Sequence, residues 1–419
     1  MALQPETLLS RLFEAAVNAA LPANCLAGHF PAPPAGRIGV VALGKAAVGM
    51  ARMAWREYGP AVSGCIIARA GEADPELPGF AFIVASHPDP DERSVRAAES
   101  ALAVAASLGR HDLLLALVSG GGSALMAAPV EGVSLRRKRE LIRQLLACGA
   151  PIAEINCVRK HLSRVKGGRL AAASEAPVAM LAISDVPGDD PGSIASGPVV
   201  QDDTCLAAAR AVLARYAIRV PAVIRQVLEH PANESPDLGA LGIRTTSIIV
   251  ASGQTALQAA ARLCQDEGIA AIDLGDRIEG EAGAVAREHA RLALRYARSG
   301  TRCCLLSGGE TSVRLGPSVG RGGRNSEYAL ALTLALGGHP GIWALAADTD
   351  GIDGCGGHAG ALFGPGTLDR ARSMGLDAAD YLERHDSAAF FARAGGLLRT
   401  GPTGTNVNDF RAILVGRRS

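Results

Sequence analysis

The turns, cations and carboxylates of this sequence that could do chemistry fall in a handful of short stretches. In "LVSGGGSALM" (117–126) an apolar run ends in Ser119, Gly120, Gly121, Gly122 and Ser123. Bare backbone N–H groups can approach an anion closely, so such a turn suits a phosphate; a tight strand-to-helix turn without a ligand uses the same residues. "LLSGGETS" (305–312), with Gly309, echoes it, and "VASGQT" (250–255) is a thinner version. The echo fits a distant duplication or, more simply, the usual way α/β strands turn. Lys45 follows Gly44 in "VVALGKAAVGMA" (40–51), but Ala46 stands where a P-loop needs Ser or Thr. A lysine at a strand exit can hold a carboxylate or phosphate as a compact charge. A first helical turn is electrostatically poor for a cation, so an anionic ligand explains Lys45 better than plain solvation.

The acids sit on two further loops. "ISDVPGDDPGSIASGP" (183–198) places Asp185 at a strand exit and Asp189 and Asp190 on a Pro-Gly turn. Hard oxygen ligands on a short loop suit Mg²⁺, which takes one or two carboxylates plus substrate phosphates; a capped turn is the plainer reading. "ADTDGIDG" (347–354) adds Asp348, Asp350 and Asp353, without the later Gly and Glu of a calcium loop. The cations crowd "INCVRKHLSRVKGGRL" (155–170), with Arg159, Lys160, His161, Arg164, Lys166 and Arg169 and no acid between Glu154 and Glu175. An anion site, an interdomain salt bridge or a solvated helix face would each absorb that field. "GRGGRNSEYALAL" (320–332) sets Arg321 and Arg324 just before a helix, where a planar fork suits a phosphate or carboxylate. In "SHPDPDERS" (86–94), Asp89, Pro90 and Glu92 fit the N-cap, N1 and N3 positions of a capping box, and His87 faces a ligand or satisfies the turn. In "TGPTGTNVNDFRAILV" (400–415), Thr403, Thr405, Asn406 and Asn408 can bind a polyhydroxy ligand or cap one another.

These residues need a scaffold, and the apolar pattern supplies one. Strand-like runs at 37–43, 63–69, 80–86, 112–118 and 176–184 alternate with helical stretches. Continuous apolar strands between helices predict a parallel sheet covered on both faces. A proline-spaced helical region lies between Val200 and Leu241, and a domain boundary falls there. A second series opens at 245–252 and continues with "GIAAIDL", 301–307, 341–347 and 410–416. The fold class is therefore α/β, with two domains. Glycines concentrate at strand exits, where open α/β sheets bind ligands, so a cleft between the domains is expected.

Composition excludes several classes. At 419 residues the chain exceeds one ordinary domain, and 48% hydrophobic residues suffice for sizeable cores. A net charge of +1 without a long basic run argues against nucleic acid and acidic membrane surfaces as partners. The N-terminus has no basic region before its apolar residues, and no apolar stretch approaches the roughly 20 residues of a membrane span. Nine cysteines without CxxC pairs fit reduced thiols, hence the cytoplasm. Phosphate-friendly turns, paired acids and Lys plus Arg together favour phosphoryl transfer. "GKAAVG" and "GGGSAL" both lack the dinucleotide fingerprint, and no G-x-S-x-G elbow appears, which argues against a nicotinamide enzyme and a serine hydrolase.

In order along the chain, "ALGKAA", "HPDPDE", "VSGGGSALM", "RKHLSRVKGGRLA", "SDVPGDDPGSIASGP", "SGGETSV", "GRGGRNSE", "DTDGIDG" and "TGPTGTNVND" resemble the glycerate 2-kinase family, whose C-terminal part is called the MOFRL domain. The matching stretches span residues 42–409. The segments 201–205 and 355–357 depart from the family's pattern. The resemblance implies a Rossmann-like, three-layer N-terminal α/β domain over 1–235 and a MOFRL-type α/β domain over 236–419. It implies ATP- and Mg²⁺-dependent phosphorylation of D-glycerate to 2-phosphoglycerate by a monomer or homodimer. Lys45 and Arg324 match positions assigned to catalysis or phosphate handling, and Asp185 or Asp350 would orient the attacking hydroxyl. Residues 119–123, Lys166 and Gly309 would hold phosphates. His87, Arg159, Thr403, Thr405, Asn406 and Asn408 would hold the substrate, and Asp189 or Asp190 the metal. Two other readings stand beside it: a nicotinamide-dependent hydroxypyruvate reductase, a label some family members carry, and a noncatalytic binder of small organic acids.

Overall fold

The computed structural model describes residues 4–315, 320–354 and 357–416, so Cys355 and Gly356 lie outside the described residues. The strands of the first half are β1 (Ile38–Leu43), β2 (Val62–Arg69), β3 (Phe80–Ala85), β4 (Leu113–Val118), β5 (Val178–Ile183) and β6 (Thr245–Ala251). They form one sheet in the order β3-β2-β1-β4-β5-β6, the strand order of a doubly wound α/β fold. The pairs β3–β2, β2–β1, β1–β4 and β4–β5 are parallel. Every residue of β1 and β4 is buried, which is why both read as unbroken apolar runs. Their register sets Leu43 beside Val118, so the two strands end level and their exit turns become neighbours. The chain order reverses between these strands, and the crevice outside such a switch point is where ligands of this fold bind.

The second half contributes β7 (Ala270–Asp273), β8 (Ile278–Glu281), β9 (Cys303–Ser307), β10 (Gly309–Ser312), β11 (Ile342–Asp348), β12 (Gly360–Phe363), β13 (Leu397–Leu398) and β14 (Asp409–Val415). Strands β8 and β10 pair by themselves in a small parallel ribbon. The remainder form a sheet ordered β13-β12-β11-β14-β9-β7. Unlike the first sheet, this one is mixed. Strand β14 runs antiparallel to both β11 and β9, and β12 runs antiparallel to β11 and β13. A strand buried on both faces shows the same apolar run in either direction, so the sequence pattern cannot report strand polarity.

Contacts divide the chain into one unit of Pro22–Val250 and another of Met1–Leu21 with Ala251–Ser419. Strand β6 lies at the edge of the first sheet, so this division falls after Val250 rather than between residues 235 and 236. The N-terminal helix Pro5–Ala19 packs on the helix Gly253–Asp266 of the second unit, and its Phe13 ring meets Phe410 of β14. The capping box before the helix Glu92–Ala106 is shifted by two residues from the sequence reading. Asp91 is the N-cap and Ser94 its reciprocal partner, while Asp89 ion-pairs with Arg139 and Arg143. Among the described residues, no helix is long and apolar enough to cross a membrane.

Candidate functional site

In the unit Pro22–Val250 the functional side chains gather at the exits of β1 and β4. Gly44, with φ 116°, leaves β1 in a left-handed conformation and packs on Ser119 so closely that a Cβ would overlap it. The Ser119 hydroxyl accepts from the Ala46 N–H (3.0 Å) and donates to the Leu43 carbonyl (3.2 Å), and the Lys45 N–H donates to the Gly120 carbonyl (3.0 Å). Ser119 thus ties the two exits together. Gly121, with φ 85°, starts the four-residue helix Gly122–Leu125, and a Cβ there would lie 3.2 Å from the His87 ring and 3.6 Å from Lys45 Cγ. His87, Lys45 and the glycine turn are therefore one cluster. A Cβ on Gly122 would lie 2.7 Å from the Ala195 Cβ, so this glycine is needed for close packing against the loop after β5. Part of what lies against the bare glycines is the chain itself.

From Ser123 a polar chain runs inward. Its Oγ lies 2.8 Å from Ser196 Oγ, Ser196 donates to Asn156 Oδ1 (3.2 Å), and Arg159 donates to the same oxygen (2.7 Å). Arg159 stands in the last turn of the helix Ile152–His161. Burial lowers its guanidinium to about 10. Lys166 is fully buried, donates to the Ala195 carbonyl (3.3 Å), and is pushed well below the usual lysine range by burial, then by Lys138 and Arg159. Other basic residues of this stretch have carboxylate partners: Lys160 pairs with Asp202 (3.2 Å), and His161 Nε2 lies 2.9 Å from Glu234. Asp202 and Glu234 belong to the same unit as Lys160 and His161, so these pairs are not the interdomain salt bridge that was one expectation for the stretch.

Asp185 is half-buried where the chain leaves β5. Asp190 accepts from the Gly192 N–H (3.1 Å) and the Ser193 hydroxyl (2.6 Å), so the capped turn is present, and Asp189 adopts a positive φ of 56° beside it. Among the described residues, no three His, Cys, Asp or Glu side chains converge as a protein-only metal cage.

In the second unit the chemistry gathers around Arg324, the first residue of the helix Arg324–Leu336. Its guanidinium is not a free surface cation. Nε donates to Asp409 (2.7 Å), Nη2 to Asp348 (2.7 Å), and Nη1 lies 3.2 Å from Glu310. Burial alone would lower its pKa, but Asp409, Asp348 and Glu310 outweigh that and raise it. Asp409 also accepts from Asn325 Nδ2 (2.7 Å) and pairs with the buried Arg411. The helix start is pinned by Asp353, whose carboxylate accepts the N–H groups of Asn325 (2.9 Å) and Ser326 (2.8 Å). Sequence reading named Asp348 but missed Asp409, Glu310 and Asn325. Asp409 faces Asp348 only because β14 pairs antiparallel with β11, and that register was not legible.

Several of the remaining expected ligands of this unit bond to its own backbone. Gly309, with φ 100°, packs against Ile278 where β10 pairs with β8, too tightly for any Cβ, so its glycine serves strand pairing. Asp350 accepts from the Ile352 N–H (2.8 Å). Thr403 donates to the Thr349 carbonyl (2.6 Å), Thr405 to the Ala20 carbonyl (2.7 Å), and the Asn408 carbonyl accepts from Thr349 (2.6 Å). Asn406 is buried in the same loop. The Thr403 and Thr405 hydroxyls are thus bonded to the unit's own backbone.

Residues 8–229 match the family described as a domain of unknown function, DUF4147, and residues 303–409 match the MOFRL family. A provisionally named hydroxypyruvate reductase of Agrobacterium vitis is 47% identical, over 98% of this chain and 94% of its own. A glycerate 2-kinase of Pyrococcus horikoshii is 37% identical, over 91% of this chain and 88% of its own. The crystal structure of a glycerate kinase from Thermotoga maritima superposes with a TM-score of 0.89 at 34% identity, covering 98% of this chain and 99% of that one.

Proposed function

Because the chain belongs to the glycerate 2-kinase family, we propose that it transfers the γ-phosphoryl group of ATP to the 2-hydroxyl of D-glycerate, giving 2-phosphoglycerate and ADP. The full-length likeness to a glycerate kinase carries the reading. The cluster at the β1 and β4 exits supports it, because cations and donors stand at the switch point of a doubly wound sheet. A secondary alcohol is neutral at pH 7, so positioning and charge neutralisation supply most of the rate.

In this reading Lys45 neutralises the transferring phosphoryl group, and the turn of Gly120, Gly121 and Gly122 with Ser123 frames phosphate oxygens. Ser119 acts through its bonds to the two strand exits, as a positioning residue. Arg159 and Lys166 contribute positive field to an anion, and His87 lies beside the glycine turn to orient it. Asp185 accepts the hydroxyl proton or orders the hydroxyl. Arg324 contributes a fixed guanidinium within its carboxylate frame, and Asp350 with the loop of Thr403, Thr405, Asn406 and Asn408 holds that frame's neighbouring backbone. The loop of Asp189 and Asp190 has the donor set for Mg²⁺: hard carboxylate oxygens, with Asp190 exposed, where substrate phosphates would complete the shell. Held there by Asp189 or Asp190, the ion would supply positive charge against the phosphates. The cytoplasm suits this chemistry, and the cysteines at 25, 65, 148, 157, 205, 264, 303 and 304 are all free thiols.

The hydroxypyruvate reductase alternative has no support at the β1 exit, where "GKAAVG" offers no dinucleotide glycine pattern. Phosphorus NMR of a mixture with D-glycerate, ATP and Mg²⁺ tests the reading directly. The expected early product is 2-phosphoglycerate. A dominant 3-phosphoglycerate signal would reverse the substrate's orientation. No ADP at all, with NADH or NADPH consumed in a parallel hydroxypyruvate assay, would replace the kinase reading with the reductase.

A further inference from the structure

Arg411 is an arginine on an apolar face. Asp409, Arg411, Ile413 and Val415 alternate along one side of β14, and Ile413 and Val415 continue that side into the core that also holds Tyr328. Arg411 is 1% exposed, so it cannot reach a ligand itself. A buried ion pair is weak evidence for stability, because apolar residues of similar volume often serve a fold as well. The bonds of Arg411 show what else it does.

Asp409 is shared between two arginines, one on each oxygen. Oδ1 accepts from Arg324 Nε and from Asn325 Nδ2, both at 2.7 Å. Oδ2 accepts from Arg411 Nη2 and from the Thr311 N–H (3.2 Å). Arg411 is anchored in turn: Nη1 donates to the Gly308 carbonyl (2.9 Å), Nη2 to Thr311 Oγ1 (3.2 Å), and Cζ lies 5.1 Å from the centre of the Tyr328 ring. Tyr328 follows Arg324 by four residues, one turn along the same helix face, so Arg411 braces the helix as well as the carboxylate.

Of the two arginines, only Arg324 is open to a ligand, with 26% of its side chain exposed against none for Arg411. Nε and Nη2 of Arg324 are spent on Asp409 and Asp348, and a guanidinium is planar, so these two carboxylates set the direction of its remaining donors. Asp348 is held by the Asp350 N–H (3.0 Å), and Asp409 by Arg411. Charge works the same way. Asp348, Asp409 and Glu310 set three negative charges against Arg324, and Arg411 offsets one of them, which leaves more of the Arg324 field for an anion.

We propose that Arg411 is the positioning residue of Arg324: it holds the Asp409 carboxylate that aims the Arg324 guanidinium, and it offsets that carboxylate's charge. It touches no substrate. The proposal rests on the kinase reading, in which Arg324 meets an anion of the reaction.

A double-mutant cycle in the full chain tests it, with initial rates of ATP-dependent D-glycerate phosphorylation divided by the folded fraction from circular dichroism. Arg411→Gln, which loses the charge, should lower kcat by about tenfold, and Arg411→Lys, which keeps the charge without the fork, by at least about threefold, with smaller changes in either KM. In an Arg324→Lys background the aim is already lost, and either substitution at 411 should cost less than about twofold further. Should one of the two variants not fold, the other decides alone. A folded variant with kcat within about threefold of the original would overturn the proposal. So would a loss as large in the Arg324→Lys background as in the original, which is what a purely structural arginine gives. Thermal unfolding of the same cycle needs no turnover. The double variant should lose more than the sum of the single ones, because Asp409 then has no guanidinium, and additive shifts would overturn the shared carboxylate. Should the original protein release no ADP while that coupling is found, the kinase reading fails and the tie between the two arginines stands.

Discussion

Arg324 carries one positive charge among three carboxylates, two of them buried, and that changes what its removal would do. Treated as an exposed cation it would matter for turnover and little for folding. In the structure, Arg324→Ala removes one guanidinium from both Asp348 and Asp409, of which Asp409 keeps Arg411. The expected result is a loss of about 3 kcal/mol in urea unfolding, toward the lower end for a broken buried pair, together with a kcat lower by roughly 10²-fold or more. Arg324→Lys should recover part of the stability and little of the activity, because an ammonium cannot serve Asp409 and Asp348 with two forked bonds. Lys45 is the second cation. It is half-buried at the β1 exit, and Lys45→Ala should lower kcat by roughly 10²-fold. A Lys45→Ala enzyme with near-original kcat would remove that residue from the mechanism. Both residues were legible from type and place in the sequence. The three carboxylates on Arg324 were not, because residues 310, 348 and 409 lie far apart along the chain.

Among the elements, the helices Ala282–Arg298 and Arg324–Leu336 pack side by side and share one polar tie. His289 Nδ1 lies 2.7 Å from the Tyr328 hydroxyl, and Arg411 stacks over the Tyr328 ring at 5.1 Å. Burial, and then the Arg411 charge, depress His289 from 6.5 to about 4. Between those values the unfolded chain binds a proton that the folded chain refuses. His289 therefore supports the fold fully above its unfolded value, and that support drains away as pH falls through the window, by at most on the order of 3 kcal/mol. Unfolding midpoints for the original protein and His289→Gln should converge in slope above the window and diverge within it, with the variant flatter. Equal slopes would mean that His289 is protonated in the fold. The sequence showed both helices by their apolar spacing, but nothing in it linked position 289 to position 328.

For the whole molecule, the acids at 185, 189 and 190 predict metal dependence. Turnover should stop with EDTA and return with Mg²⁺ or Mn²⁺, since no His or Cys cluster among the described residues suggests zinc. Full turnover in metal-free buffer would contradict the role given to Asp189 and Asp190. The two-unit plan has its own lesson. The chain's first 21 residues belong with the second unit, and strand β6 belongs with the first, so sequence order and spatial membership differ at both ends of the Pro22–Val250 unit.

Local interactions explain what the sequence determined by itself. Strand runs, helix starts and the glycine exits follow from apolar period and backbone freedom within a few residues, so β1, β4 and β5 and their turns were readable. The motif stretches were readable for the same reason, since each is contiguous. Tertiary structure alone decided which partner each polar group found. It spent Thr403, Thr405 and Gly309 on the chain's own backbone, placed Asp348 and Asp409 on Arg324, and enclosed Lys138 and Lys166 against the carbonyls of Leu162 and Ala195. A polar side chain can be satisfied by groups hundreds of residues away, and burial, which sets the energy of each pairing, exists only once the sheets have formed.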